Sequence, residues 1–455
     1  MTLSRRHFLR NAGAAALGFG GLQHLVTGCG PDQPVDFGEL VPDPEGLFDL
    51  PEGFSYRIIS RYGDEMADGL LVPHRPDGMA AFPGPDGLTV LVRNHEVHGR
   101  SAGPEEGAFG AGLERLELAG GRLFDGGHEG QVPALGGTTN VVYDTRTGET
   151  VRVFLSLAGT LRNCAGGPTP WGSWLTCEED VTRASERYVR DHGWIFEVPA
   201  SAEPGLANPE PLRAMGRFYR EAVAVDPESG AVYMTEDLGD GLLYRYLPDV
   251  PGDLRAGGRV EALKLRDNPN LDVRNWDSAA FEPGRSEPVE WIPMDNMDNP
   301  DDDLRFRGME RGGLPMARAE GIFYANGQVF IACTSGGQNR EGQILRYVPS
   351  PYEGTDRESQ APGMLQLYAE PNDTGLLENC DNLTVAPWGD VVIAEDASTH
   401  PRLSMIGSDG TIRIIGRNSR SNSELAGPTF SPDGSTLFLN IQHEGVTLAI
   451  TGPWA

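Results

Sequence analysis

Positive charge is scarce in this sequence. Lys and Arg number 37 against 66 Asp and Glu, a net charge of −29. A surface of that sign repels phosphate backbones and anionic lipid, which argues against a nucleic-acid partner. Cysteine is scarce too, with five in 455 residues, so the chain is not a small disulfide-framed scaffold. No run of 18 apolar residues occurs, which leaves no candidate membrane-spanning helix. A Gly-x-Ser-x-Gly nucleophile elbow is missing. The run Asp295, Asp298, Asp301, Asp302, Asp303 lacks the Gly and closing Glu of an EF-hand loop, and reads as a solvated loop. What is abundant is Gly (60) and Pro (35), the composition of a chain with many short strands and turns.

The first residues read as an address. Ser4-Arg5-Arg6-His7-Phe8-Leu9-Arg10 is a twin-arginine export signature, followed by a short Ala/Gly-rich apolar stretch. Val26-Thr27-Gly28-Cys29 has the form of a lipobox. Residues 1–28 are expected to be the signal and 29–44 a linker. The product would be handed to the twin-arginine translocon and exported to the periplasm or cell surface, with a possible lipid anchor at Cys29.

Residues 45–455 repeat one hairpin. Gly87, Gly172, Gly230, Gly327, Gly389 and Gly434 each close a turn and open a β-rich segment. A further strand signal begins at Gly193, Gly241 and Gly342. Six such units predict an all-β fold, a six-bladed β-propeller with loop insertions, with a two-sheet sandwich as the alternative. Residues 251–316, rich in Pro, Asn and Asp, read as an insertion or cap.

Acids recur at fixed places in these units. Six residues past the turn glycines stand Arg93, Glu178, Glu236, Cys333, Glu395 and Asn440, with Glu96, Glu179, Asp237 and Asp396 close behind. Seven to nine residues before the glycines stand Cys164, Glu221, Glu320 and Asp381. In a hairpin these two sets lie at the same end, so the carboxylates gather at one mouth of a central channel. Such charges repel unless cations compensate them. Oxygen ligands suit calcium, and a thiolate suits a transition metal. Cys164 and Cys177 could instead form a disulfide. Cys177, next to Glu178, reads as a core residue, and Cys333 as either a core thiol or a metal neighbour. Arg340 follows at the same mouth, either as a counter-ion or as a clamp for a phosphoryl group.

Several stretches resemble the PhoX-type alkaline phosphatases. They are Arg93-Asn94-His95-Glu96, Asn163-Cys164-Ala165-Gly166-Gly167 through Pro170-Trp171-Gly172 to Thr176-Cys177-Glu178-Glu179, Tyr233-Met234-Thr235-Glu236-Asp237, Ala317-Arg318-Ala319-Glu320-Gly321, Cys380-Asp381-Asn382 and Gly427-Pro428-Thr429-Phe430-Ser431-Pro432-Asp433. The resemblance implies a six-bladed propeller with a cluster of Fe3+ and Ca2+ ions that hydrolyses small phosphomonoesters. It also implies Cys164 as an iron ligand, with Glu178, Glu179, Glu221, Glu236, Glu320, Asp381 and Glu395 as carboxylate ligands. Arg340 and Glu96 are the catalytic candidates. Arg220-Glu221 and Gln442-His443-Glu444 depart from the family pattern, which bears on substrate range. A calcium-dependent propeller lactonase and a non-catalytic surface scaffold are the alternatives.

Overall fold

The structure is a computed structural model and describes residues 37–99 and 101–454. The twin-arginine motif, the lipobox and Cys29 lie outside the described residues. Among those described, no helix is long and apolar enough to cross a membrane.

The fold is all-β, with its sheets in a propeller-like arrangement. Six hairpins supply the inner pairs of strands: Pro76–Pro83 with Thr89–His95, Asn163–Pro168 with Ser173–Glu178, and Arg220–Val225 with Val232–Glu236. The other three are Ala319–Ala325 with Gln328–Cys333, Cys380–Val385 with Val391–Glu395, and Leu425–Phe430 with Thr436–Ile441. The six turn glycines all adopt positive φ, from +71° at Gly434 to +106° at Gly389, a region open to residues without a Cβ. The first strand of each hairpin packs beside the first strand of the next, and Leu425–Phe430 packs back on Pro76–Pro83, so these strands close a ring.

Outward from that ring the sheets differ. The Leu425–Phe430 sheet is completed by Ser55–Arg61, a strand from the other end of the chain, which closes the circle. Two hairpin systems fuse into one nine-stranded sheet because Ser286–Pro293 pairs with both Asp253–Leu265 and Met364–Ala369. Within residues 251–316, Asp253–Leu265 and Ser286–Pro293 are therefore strands of this sheet. Alternation explains it: Leu263 and Leu265, and Val289 across from them, bury one face of this extension in the core. The ordered body also starts before residue 45. Leu40–Val41 pairs with Phe48–Pro51, and Phe37 packs against Phe54 and Trp454.

Candidate metal centre

Every inner strand breaks its ladder at the same place. The pairing jumps from Pro76↔His95 to Met79↔Arg93, from Asn163↔Glu178 to Gly166↔Thr176, and from Arg220↔Glu236 to Val223↔Met234. It jumps again from Ala319↔Cys333 to Ile322↔Ile331, from Cys380↔Glu395 to Leu383↔Ile393, and from Ala426↔Asn440 to Thr429↔Phe438. Each jump sets two residues against one, a β-bulge, which frees a side chain from the ladder and re-aims it. The first residues of the six bulges are Asp77, Cys164, Glu221, Glu320, Asp381 and Gly427. The second are mostly small: Gly78, Ala165, Ala222 and Gly321. Small size is required there. A Cβ on Gly78 would lie 2.6 Å from the Cα of Ala165, and one on Gly321 would lie 2.5 Å from the Asp381 carbonyl oxygen. The strands thus converge beneath the acids, and the channel narrows to a cavity of about 30 Å3, one water's worth of space.

The bulges bring Cys164, Glu221, Glu320 and Asp381 to one mouth, together with Asp77, which the spacing count missed. Glu96 and Glu179 join them from the ends of the neighbouring strands. Ligand atoms of Glu96, Cys164 and Glu179 lie within 4.8 Å of one another, as do those of Asp77, Glu96 and Glu424. Burial, and then the neighbouring carboxylates, push the carboxyls of Asp77, Glu179, Glu221, Glu320 and Glu424 well above the usual range. Asp381 is also well up, chiefly by burial. Asp396 is raised to about 6 by burial. The Cys164 thiol is held well above its ordinary value by burial and by Asp77, Glu221, Glu179 and Glu96.

Three of the acids expected as ligands stand elsewhere. Glu178, Glu236 and Glu395 occupy the last ladder pair before each bulge. Glu178 accepts the backbone N–H groups of Leu161, Gly193 and Trp194, and bonds His192 Nδ1 at 2.6 Å. Glu236 accepts the Leu242 N–H and the Tyr244 hydroxyl. Glu395 accepts the N–H groups of Glu378 and Arg402 and both ends of the Arg402 guanidinium. They fasten the outer strands of their own sheets. Successive residues on a strand face opposite ways, so the next residues, Glu179, Asp237 and Asp396, are the ones turned to the mouth. The count was off by one.

The four described cysteines are all free, which removes the Cys164–Cys177 disulfide. Cys177 lies among Leu175, Ile195 and Val223, and Cys333 among Ala319 and Ile331. His95 bonds Thr139 and the His74 carbonyl and turns away from the acids. Arg340 is exposed, in the left-handed region at φ +58°, with its guanidinium 4.4 Å from the Trp276 ring centre. Trp276 is tied to the mouth through its indole N–H on the Ser335 carbonyl, and the Ser335 N–H on Ala317. Among the described residues Arg340 has no ion-pair partner.

Sequence counting also missed Arg162, Arg318, Gln442 and Glu424. Asp77 and Glu424 each lie ten residues before a turn glycine, a spacing just outside the window that found Cys164 and Glu320. Gln442 is crowded: its amide nitrogen is 2.7 Å from Asp77 Oδ2, 2.8 Å from Glu96 Oε2 and 2.5 Å from Glu424 Oε1. Two protons cannot serve three acceptors.

The donor set fits metal ions. Glu221 is 1% exposed, and among the described residues it has no ion pair and its Oε1 has no hydrogen-bond partner. A buried carboxylate so placed is costly unless a cation meets it. One thiol among oxygens suits a transition metal, and the all-oxygen group of Asp77, Glu96 and Glu424 suits a hard cation.

Comparison with known proteins identifies the family. Residues 35–445 match the family model described as alkaline phosphatase PhoX. No curated protein matches the sequence. Among solved structures, the chain is similar to Pseudomonas fluorescens PhoX in complex with vanadate, a transition state analogue, at 17% identity and a TM-score of 0.64. That match covers 90% of this chain and 96% of the other. A gluconolactonase from Xanthomonas campestris matches at 14% identity and a TM-score of 0.39, over 93% of this chain and 100% of the other.

Proposed function

The chain belongs to the PhoX alkaline phosphatase family, and from that premise we propose that it is an exported phosphomonoesterase whose bulge ring holds iron and calcium. In this reading the ring of inner strands is the hub of six blades. The observation that carries the metal assignment is Glu221, buried at the mouth without a cation or a hydrogen bond on Oε1. Cys164 would hold the iron, and Glu96 and Glu179 beside it would be shared between iron and calcium. Asp77, Glu221, Asp237, Glu320, Asp381, Asp396 and Glu424 would supply oxygens for calcium. Bound there, such ions supply Lewis-acid neutralisation of phosphoryl oxygens and lower the pKa of water.

The chain's own residues do the rest. The bulges fix the acids at the mouth without a hinge, so the ligands are arranged before substrate arrives. The converging small residues close the channel beneath, so substrate meets the cluster from the mouth. Arg340, uncommitted to any carboxylate and steadied on Trp276, presents a planar fork suited to a phosphoryl group. The absence of a serine elbow agrees with phosphoryl transfer by charge neutralisation and positioning.

Mature protein is expected to hydrolyse an aryl phosphate and to lose that activity on thorough chelation, regaining it with calcium. Full turnover in chelator would refute the calcium assignment, and no turnover by metal-loaded protein would leave a non-catalytic scaffold.

Export is tested separately. Replacing Arg5 and Arg6 with Lys should leave the protein in the cytoplasm. Cys29→Ser should release it from the membrane fraction if Cys29 is lipidated. Fractionation that finds the double Lys variant outside the cytoplasm would refute the twin-arginine route.

A further inference from the structure

Three bulges are preceded, two residues earlier, by an arginine in the left-handed region: Arg75 at φ +50°, Arg162 at +48° and Arg318 at +55°. A side chain rarely adopts that conformation, and its repetition at one structural position marks a requirement that the surroundings enforce. Two of the three reach into the acid cluster. Arg162 Nε bonds Glu96 Oε1 at 2.8 Å, and the same guanidinium lies 3.1 Å from Glu179 Oε2. Arg318 holds both oxygens of Asp237 at 2.9 Å and also pairs with Glu320. Each arginine thus joins an acid at the end of one hairpin to an acid of the next. Among the described residues, these two are the only arginines paired with acids of the cluster.

The Arg162 guanidinium occupies both of the carboxylates that converge with Cys164 within 4.8 Å. A resident unit charge beside a divalent or trivalent ion in a buried site is repelled by it. Resting on the metal reading above, we propose that Arg162 and Arg318 are positioning residues that act as internal cations: they hold the cluster's acids together in the metal-free chain and compete with the metals for them. The fold then does not depend on metal. The chain assembles around its own arginines, and loading with metal displaces their hold on the acids.

Linkage turns this into a test whose sign is unlike that of an ordinary structural salt bridge. A group that stabilises the metal-free state more than the loaded one lowers metal affinity, and removing it raises affinity by the same factor. Calcium alone is titrated calorimetrically into stripped full-length protein, for wild type, Arg162→Gln, Arg318→Gln and Arg162→Lys. Each Gln variant is expected to bind calcium on the order of tenfold more tightly and to unfold at lower denaturant when metal-free. The Lys variant, which keeps the charge, should stay near wild type in affinity. Equal or weaker calcium binding by the Gln variants would overturn the proposal alone. A wild type that takes up no calcium would overturn the metal reading and the proposal with it. A Gln variant that unfolds on stripping and refolds with calcium supports the proposal, and one that stays unfolded in calcium refutes it.

Discussion

On the iron reading proposed above, Cys164→Ser is expected to abolish visible absorbance of the purified protein, prevent iron binding and reduce phosphatase activity by about 100-fold or more. Cys164 is the sulfur among the oxygens of the cluster, and its thiol is held protonated by burial and four carboxylates. Only a cation at that point makes a thiolate tenable, and metal binding expels the proton. Serine places a harder, far less acidic donor there. Cys177→Ser, thirteen residues away in the same hairpin, is expected to keep iron and activity. It lies in an apolar cluster with Leu175 and Ile195, so its hydroxyl goes unpaired and stability falls by about 1–3 kcal/mol. Iron content settles it: equal iron in the two variants would sink the thiolate assignment.

The fold was legible because its signals are local. A turn glycine with positive φ followed by a run such as Val391-Val392-Ile393-Ala394 writes a buried strand into the sequence directly. Cys164, Glu221, Glu320 and Asp381 were also within reach, since spacing from the turn places both strand ends at one rim. What spacing does not convey is the bulge. The bulges re-aim Cys164, Glu221 and Asp381 on the first strands, while the count of six runs along the second strands and lands on Glu178, Glu236 and Glu395, the last ladder residues, one short of those at the mouth. Nor does spacing show that these three carboxylates already have donors, because Gly193 and Leu242 stand just before the next strand and Arg402 at its start. The roles of Arg162 and Arg318 were illegible for a related reason, although Arg318 stands inside a stretch that carries the family resemblance. Their conformation is left-handed and their partners are contributed by other hairpins. Residues 251–316 look like loop in composition, yet the alternation of Leu263, Leu265 and Val289 survives within them.

Glu178 and Glu179 are consecutive, alike in composition, and expected to fail in opposite ways. Glu179→Gln should keep its fold, because Arg162 stays paired with Glu96, and lose metal, because its carboxyl faces the cluster. Glu178→Gln should keep the ligand set and lose stability by about 3–5 kcal/mol, the range for breaking a buried ion pair. Its partner is His192, fully buried, with Asp125 3.5 Å from Nε2. Burial alone would lower the pKa of His192, but Glu178 and Asp125 outweigh it and raise the value to about 9. A pKa raised in the folded state stabilises at low pH. The contribution is complete below the unfolded value near 6.5 and disappears as pH climbs through about 9, a loss of about 3 kcal/mol. Metal-free wild type should therefore melt at progressively lower temperature between those limits. Glu178→Gln should begin less stable and show a flatter pH slope. Calorimetry of both variants from pH 6 upward, with metal content measured alongside, separates the two roles. Metal loss from Glu178→Gln at unchanged stability would return Glu178 to the cluster and undo the one-residue correction.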